Sequence, residues 1–199
     1  MEKNMIINVG RQLGSGGHII AGLLAERMQL SFYDKELIRR ASRESGLAPE
    51  FFEEADETVS AARTSSLLTD FFSHNYFSNE SLFQIQSDLI REISERESAV
   101  IVGRCSDYVL RDFPRCVNIF ITADLPDRLK RVGEYFGLNE EKALALIAKT
   151  DKKRAEFYNF YSNKVWGAAA SYDLCINSSV MGIDKTTAFI QQFVQEKLG

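Results

Sequence analysis

Histidine and cysteine are scarce in this 199-residue chain, which has two of the first and three of the second. His18 and His74 lie far apart, and Cys105, Cys116 and Cys175 are odd in number with no Cys-x-x-Cys spacing. That pattern argues against a zinc site and reads as buried thiols. Long apolar runs are missing as well. No stretch approaches the roughly 18 residues of a membrane span. The opening MEKNMIINVG has too short an apolar segment for a signal peptide, so the expected setting is cytoplasmic, with no membrane partner. Nor is there an excess of positive charge: 24 Lys and Arg stand against 28 Asp and Glu, for a net charge of −4. A protein that tracks a nucleic-acid backbone needs a basic face, so nucleic acid is not expected as a partner. Local basic clusters still allow small anions to bind. Oligomeric state cannot be read from the sequence.

What is present is enough apolar residue, 45% of the chain, for a single globular core. Short apolar runs at Met5–Val9, Ala99–Val102, Val117–Ile121 and Leu174–Ile176 alternate with helical patterns, which predicts an α/β fold with a mostly parallel sheet. After the brief LSFYD, the text up to Glu97 is helical: DKELIRRASRESG, then LAPEFFEEADE, then SLFQIQSDLIREISERE with apolar spacing at Leu82, Ile85, Leu89 and Ile93. A second helical stretch runs from Asn139 to about Trp166. An amphipathic helix over Ile183–Leu198 closes the chain.

The densest signal is IINVGRQLGSGGHIIAGLLAERM, a strand, a glycine-rich turn and a helix. The first N–H groups of a helix lack intrahelical partners and carry partial positive charge, and glycine lets backbone approach an anion closely. Gly10-x-x-x-Gly14-x-Gly16 fits the loop of short-chain dehydrogenases, with Asp34 placed to hold a ribose. No tyrosine has lysine four residues later, however, and the helical stretch after FYD interrupts the regular dinucleotide half. Against the phosphoryl-transfer pattern G-x-x-x-x-G-K-[ST], the window RQLGSGGH keeps Gly14, Ser15 and Gly16. It has Arg11 at the first glycine, Gly17 at the lysine and His18 at the magnesium-binding hydroxyl. A tight βα turn without a ligand is the plain alternative.

Beyond the loop, FYDKELIRRAS, VIVGRCSDYVLRD, NIFITADLPDRLKRV, TDKKRAEFYNFY and SYDLCINSSVMGID follow in order. Together with RQLGSGG they resemble the cytidylate kinase-like family, a divergent branch of the P-loop nucleoside monophosphate kinases, over nearly the whole chain. The resemblance implies a P-loop NTPase-type parallel sheet of about five strands with helices on both faces. It divides a single domain into a core (1–34, 98–136, 168–199), a helical insertion for the nucleoside monophosphate (35–97) and a helical lid (137–167). It further implies ATP with Mg²⁺ and a nucleoside monophosphate acceptor, CMP or dCMP first.

By the same resemblance, Arg40 grips the acceptor phosphate, Arg104 matches the arginine of a Gly-Arg-Asp stretch, and Asp151, Lys152 and Arg154 match an Asp-Arg-x-Arg lid segment. Asp34 joins the acceptor set, with Arg39 and Lys153 as alternative contacts. Gly14, Ser15, Gly16, Gly17 and His18 form the phosphate loop, and Arg11, Arg104 and Arg154 are the candidate catalytic cations. Phosphoryl transfer needs convergent positive charge, which these residues could supply. Arg11 either folds over the phosphates in place of the lost lysine or fixes the loop through a salt bridge. No metal site is assigned; magnesium would arrive with ATP, with Ser15 as a displaced hydroxyl. Cys105, where the family pattern has aspartate, is either a thiol activated by Arg104 or a packed one. The aromatics of FYNFY and Trp166 either stack on a base or anchor the lid.

Overall fold

The computed structural model describes residues 4–34 and 76–198. The expected helices in DKELIRRASRESG and LAPEFFEEADE, together with Arg39, Arg40 and His74, lie outside the described residues. Strand β1 (Ile6–Arg11) leads through the glycine loop to helix α1 (Gly17–Met28) and the short strand β2 (Ser31–Tyr33). Helix α2 (Tyr76–Arg96), strand β3 (Ala99–Val102), the single turn α3 (Ser106–Val109) and strand β4 (Cys116–Thr122) come next. Then follow α4 (Leu125–Phe136), α5 (Glu140–Ser162), a 3₁₀ turn (Ala169–Ser171), β5 (Leu174–Asn177) and α6 (Ser178–Leu198), which is kinked at Gly182.

The five strands form one parallel sheet in the order β2-β3-β1-β4-β5. As the apolar runs predict, the central strands are buried on both faces. Ile7 and Val9 pack with Val100, Val102, Ile119 and Ile121 beneath α1 and α6, while Ile6, Ala99 and Ile101 meet Leu89, Ile90 and Ile93 of α2 on the other side. Burying each such side chain contributes roughly 1.5–3 kcal/mol. Asn8 interrupts the apolar pattern, and its Nδ2 donates to Asn118 Oδ1 and Cys116 Sγ, both at 2.9 Å.

Parallel strands place all their carboxyl ends on one edge, and there α4 and α5 form a separate small core. Val132, Ala143 and Ile147 pack with Leu129, Leu138, Leu146 and, from the glycine loop itself, Leu13. The stretch expected as a lid is bracketed by Gly137 (φ 64°) and Gly167 (φ 76°), both left-handed.

Candidate functional site

The glycine loop is shaped from outside by two later helices. Gly14 and Gly16 have φ of 77° and 74°. A Cβ on Gly14 would lie 2.7 Å from the Arg128 carbonyl of α4, and one on Gly16 would lie 2.2 Å from Ile183 Cδ1 of α6. Only glycine satisfies both the conformation and the packing. The loop carbonyls are taken by arginines: Arg131 Nη1 donates to Gly14 O at 3.0 Å, Arg128 Nε to Leu13 O at 2.8 Å and Arg154 Nη1 to Arg11 O at 3.0 Å. The Leu13 N–H donates to Asp151 Oδ1 at 2.8 Å, and Asp151 Oδ2 pairs with Arg128 Nη2. Arg128 and Asp151 therefore clasp both sides of the Leu13 peptide, and with loop carbonyls drawn toward α4 and α5 the opposite surface is left to the amides at the start of α1.

Two cavities meet at this loop. The larger, about 630 Å³, runs from Arg11–Gly14 and Gly16–Ile19 across to Arg131, Tyr135 and Phe136 of α4. Its rim carries apolar surface, with Ile19 and Phe136 about half exposed and Tyr135 largely so. The smaller, about 70 Å³, lies at the ends of β1 and β3, between Asn8, Gly10, Gly103 and Arg104 on one side and Asp107, Tyr158, Trp166 and Tyr172 on the other. Arg11 and Arg154 line both.

Three arginines expected to act together thus converge from β1, the β3 turn and α5. Burial, then Arg154 and Arg104, pushes the Arg11 pKa down to about 9, with Asp34 and Asp151 opposing. Burial pushes Arg104 down to about 10 against Cys105 and Asp34, and it lowers Arg154 as well. All three remain positive at neutral pH. Arg104 is held in left-handed backbone (φ 61°) between Gly103 (φ 78°) and Cys105 (φ 53°), and its Nη1 lies 3.4 Å from Gln86 Oε1 of α2. Two consecutive non-glycine residues in that region are a stored strain, and such strain collects at functional turns.

Residues 6–180 match the family described as Cytidylate kinase-like family. The chain belongs to that family. Cytidylate kinase-like relatives include the cytidylate kinase of Staphylothermus marinus, 22% identical over 98% of both chains. The cytidylate kinase of Thermococcus kodakarensis is 27% identical over 116 residues, which is 54% of this chain and 58% of that enzyme. A crystal structure of an uncharacterized protein from Eubacterium ventriosum superposes with a TM-score of 0.76 at 30% identity, covering 96% of this chain and 99% of that one. Shikimate kinase from Bacteroides thetaiotaomicron has a TM-score of 0.54 at 15% identity over 96% and 98%, a likeness of fold alone. Membership of this family supports phosphoryl transfer in general. Among the described residues no helix is long and apolar enough to cross a membrane.

The other expected site residues are dispersed. His18 Nε2 lies 3.0 Å from Asp34 Oδ2, and its ring meets Phe32 edge-on. Ser15 is fully buried; its Oγ donates to Gln12 O at 2.9 Å and accepts from Gly17 N at 3.3 Å. Asp151 is engaged in the clasp, while Lys152 is 77% exposed and its Nζ lies 3.9 Å from Glu156 Oε1. Arg128 and Arg131 were missed from sequence, although the spacing in LPDRLKRV puts both on α4; nothing in that spacing shows a loop more than a hundred residues earlier.

Cys105 is packed, and burial with Asp107 drives its thiol upward against the pull of Arg104. Cys116 is pushed up to about 12, chiefly by burial. The expectation of three buried thiols fails at Cys175, which is exposed because β5 is an edge strand. In folded protein a thiol reagent at neutral pH should modify Cys175 alone, with Cys105 and Cys116 reacting only after denaturation. Peptide mapping by mass spectrometry checks this, and early labelling of Cys105 would contradict its packed role. The aromatics of the stretch expected as a lid are packed: Tyr161 stacks on Phe83 of α2 with centroids 3.8 Å apart, Tyr158 Oη donates to Asp107 Oδ2 at 2.7 Å, and Trp166 meets Phe120 edge-on.

Proposed function

We propose that the protein transfers a phosphoryl group from ATP to a nucleoside monophosphate, with CMP or dCMP the first candidates. The observation that carries this is the placing of Arg11 and Arg154 on both cavities, with Arg104 beside the smaller one. In this reading the triphosphate lies along the glycine loop, its base against Ile19, Tyr135 and Phe136. The acceptor phosphate approaches Arg104 with help from Arg40, while Asp34, which a phosphate would repel, faces the rest of the acceptor nucleotide. The three guanidinia, held close together against their mutual repulsion, supply positive charge where it develops on the transferring group. The acceptor phosphate is already an anionic nucleophile, so no general base is required. Residues 35–97 serve as the acceptor-binding insertion and 137–167 as the lid over a core of 1–34, 98–136 and 168–199. Asp151 fastens the loop, and Lys152 would engage only if the lid turned it inward.

Magnesium takes mostly water and phosphate oxygens in near-ideal octahedral geometry. Ser15 does not fit it, because its hydroxyl is spent inside the loop. Asp34, the residue after β2, offers carboxylate oxygens of the kind that hold the ion's hydration shell, one of them shared with His18 Nε2 at 3.0 Å. Bound there with ATP, the ion would neutralise phosphate charge.

A coupled assay with MgATP and a panel of nucleoside monophosphates tests the reading, with turnover expected first for CMP and dCMP. Folded protein that binds nucleotide and turns over none of them would instead be a binding module. That second reading draws on Gly17 in the lysine's position and on the occupied Ser15 hydroxyl. Turnover of another small phosphate acceptor in preference to all of these would reassign the pocket around Arg104.

A further inference from the structure

The glycine loop departs from the phosphoryl-transfer pattern at its two ends, and the structure joins those departures. Gly17 stands where the pattern has lysine, and Arg11 stands where it has the first glycine. A Cβ on Gly17 would lie 2.6 Å from Arg11 Cβ and 3.2 Å from Arg11 Cγ. Real Cβ atoms do not approach so closely, and the obstacle is a rigid stem atom rather than a movable tip. With this backbone a side chain can leave the loop from position 11 or from position 17, but not from both. The stem of Arg11 crosses the first residue of α1, over the space where a lysine stem would start. Its guanidinium then reaches the turn after β3, where a Cβ on Gly103 would meet Arg11 Nη1 at 2.4 Å. Gly103 leaves room for the guanidinium, which sits where the two cavities meet.

We propose that Arg11 and Gly17 are an exchanged pair: the phosphate-binding cation of this loop is delivered from the end of β1 instead of the start of α1, and each position permits the other. The inference rests on the phosphoryl-transfer reading above and deepens it. It assigns Arg11 to the phosphates of the donor nucleotide, at the boundary with the acceptor. The alternative role, a salt bridge fixing the loop, has no support in the ion pairs among the described residues: Asp34 and Asp151 influence Arg11 through space, while at contact distance Asp34 meets His18 and Asp151 meets Arg128 and Arg154.

The test is a mutant cycle read by calorimetric titration with MgATP and by thermal melting. Arg11→Met keeps the stem on Gly17 and removes only the charge. It should melt close to the parent and bind MgATP at least ~10-fold more weakly, the low end for a charge-assisted contact. Gly17→Lys alone should lower the melting temperature, since two stems then compete for one space. Arg11→Gly with Gly17→Lys removes the conflict, and it should melt above Gly17→Lys and recover most of the affinity lost in Arg11→Gly. Unchanged MgATP affinity in Arg11→Met overturns the proposal whether or not the double variant folds. A folded double variant that binds no better than Arg11→Gly overturns the exchange as well. Failure of the wider reading looks different: the parent itself would then bind no nucleotide.

Discussion

Asp151→Ala is expected to lower the free energy of unfolding by about 3 kcal/mol, as for other buried ion pairs broken from one side. The loss has two parts. Arg128, with only 9% of its side chain exposed, keeps Leu13 O but loses its counter-charge, and the Leu13 N–H loses its acceptor. Because the pair sits nearly dry, little solvent is available to repay either. Replacing both members, Asp151→Ala with Arg128→Leu, should cost less than Asp151→Ala alone, since no uncompensated charge remains. Chemical denaturation of the four proteins gives the coupling directly. The Leu13 amide should also lose protection from hydrogen exchange in Asp151→Ala. Additive effects of the two substitutions, or a loss under about 0.5 kcal/mol as for a surface pair, would show that the clasp does not hold the loop.

Arg104→Gly should separate stability from activity. Glycine adopts the left-handed φ of 61° at Arg104 without strain, which offsets the entropy that glycine adds to the unfolded chain. The variant should therefore melt at or slightly above the parent temperature. Turnover in the coupled assay should nonetheless fall by about 10²–10³, as when one preorganised donor is removed from a transition state. Most of the loss should fall on the acceptor's apparent affinity and on kcat, with ATP binding little changed. A marked drop in melting temperature with turnover intact would make Arg104 a structural residue that holds α2 through Gln86.

The sheet was legible because its central strands are buried on both faces. Ala99–Val102, apolar throughout, is found as expected, and Val117–Ile121, which carries Asn118, is extended by one residue at each end. The C-terminal helix starts earlier than its amphipathic period shows, at Ser178, because Gly182 (φ 74°, ψ 172°) breaks the helical pattern after its first turn. The convergence of Arg11, Arg104 and Arg154 could be anticipated, for each sits beside a strand end or in a motif-like segment. The clasp could not. Arg128, Arg131 and Asp151 read as ordinary charges on helix surfaces, and only the packing of α4 and α5 against Leu13 reveals that they face a loop. The small cavity was hidden for the same reason, since Asn8, Asp107, Tyr158 and Tyr172 share no spacing. Gly17 was visible as a departure, yet its physical cause lies in the stem of a residue six positions earlier in the chain.

The order in which this molecule is made runs opposite to the order in which its loop is finished. β1 is translated first but pairs with β3 and β4, Ile6 lying beside Ala99 and Cys116. The carbonyl of Ser15 receives the hydroxyl of Ser178, 163 residues later, at 2.6 Å, and the space over Gly16 is filled by Ile183. Contacts this distant in sequence must wait for the chain between them and carry its closure entropy, which slows folding. A nascent chain that ends before α6 therefore contains every glycine of the loop without the wall that curves it. The shape of the loop that begins the chain is thus set only when its last helix docks.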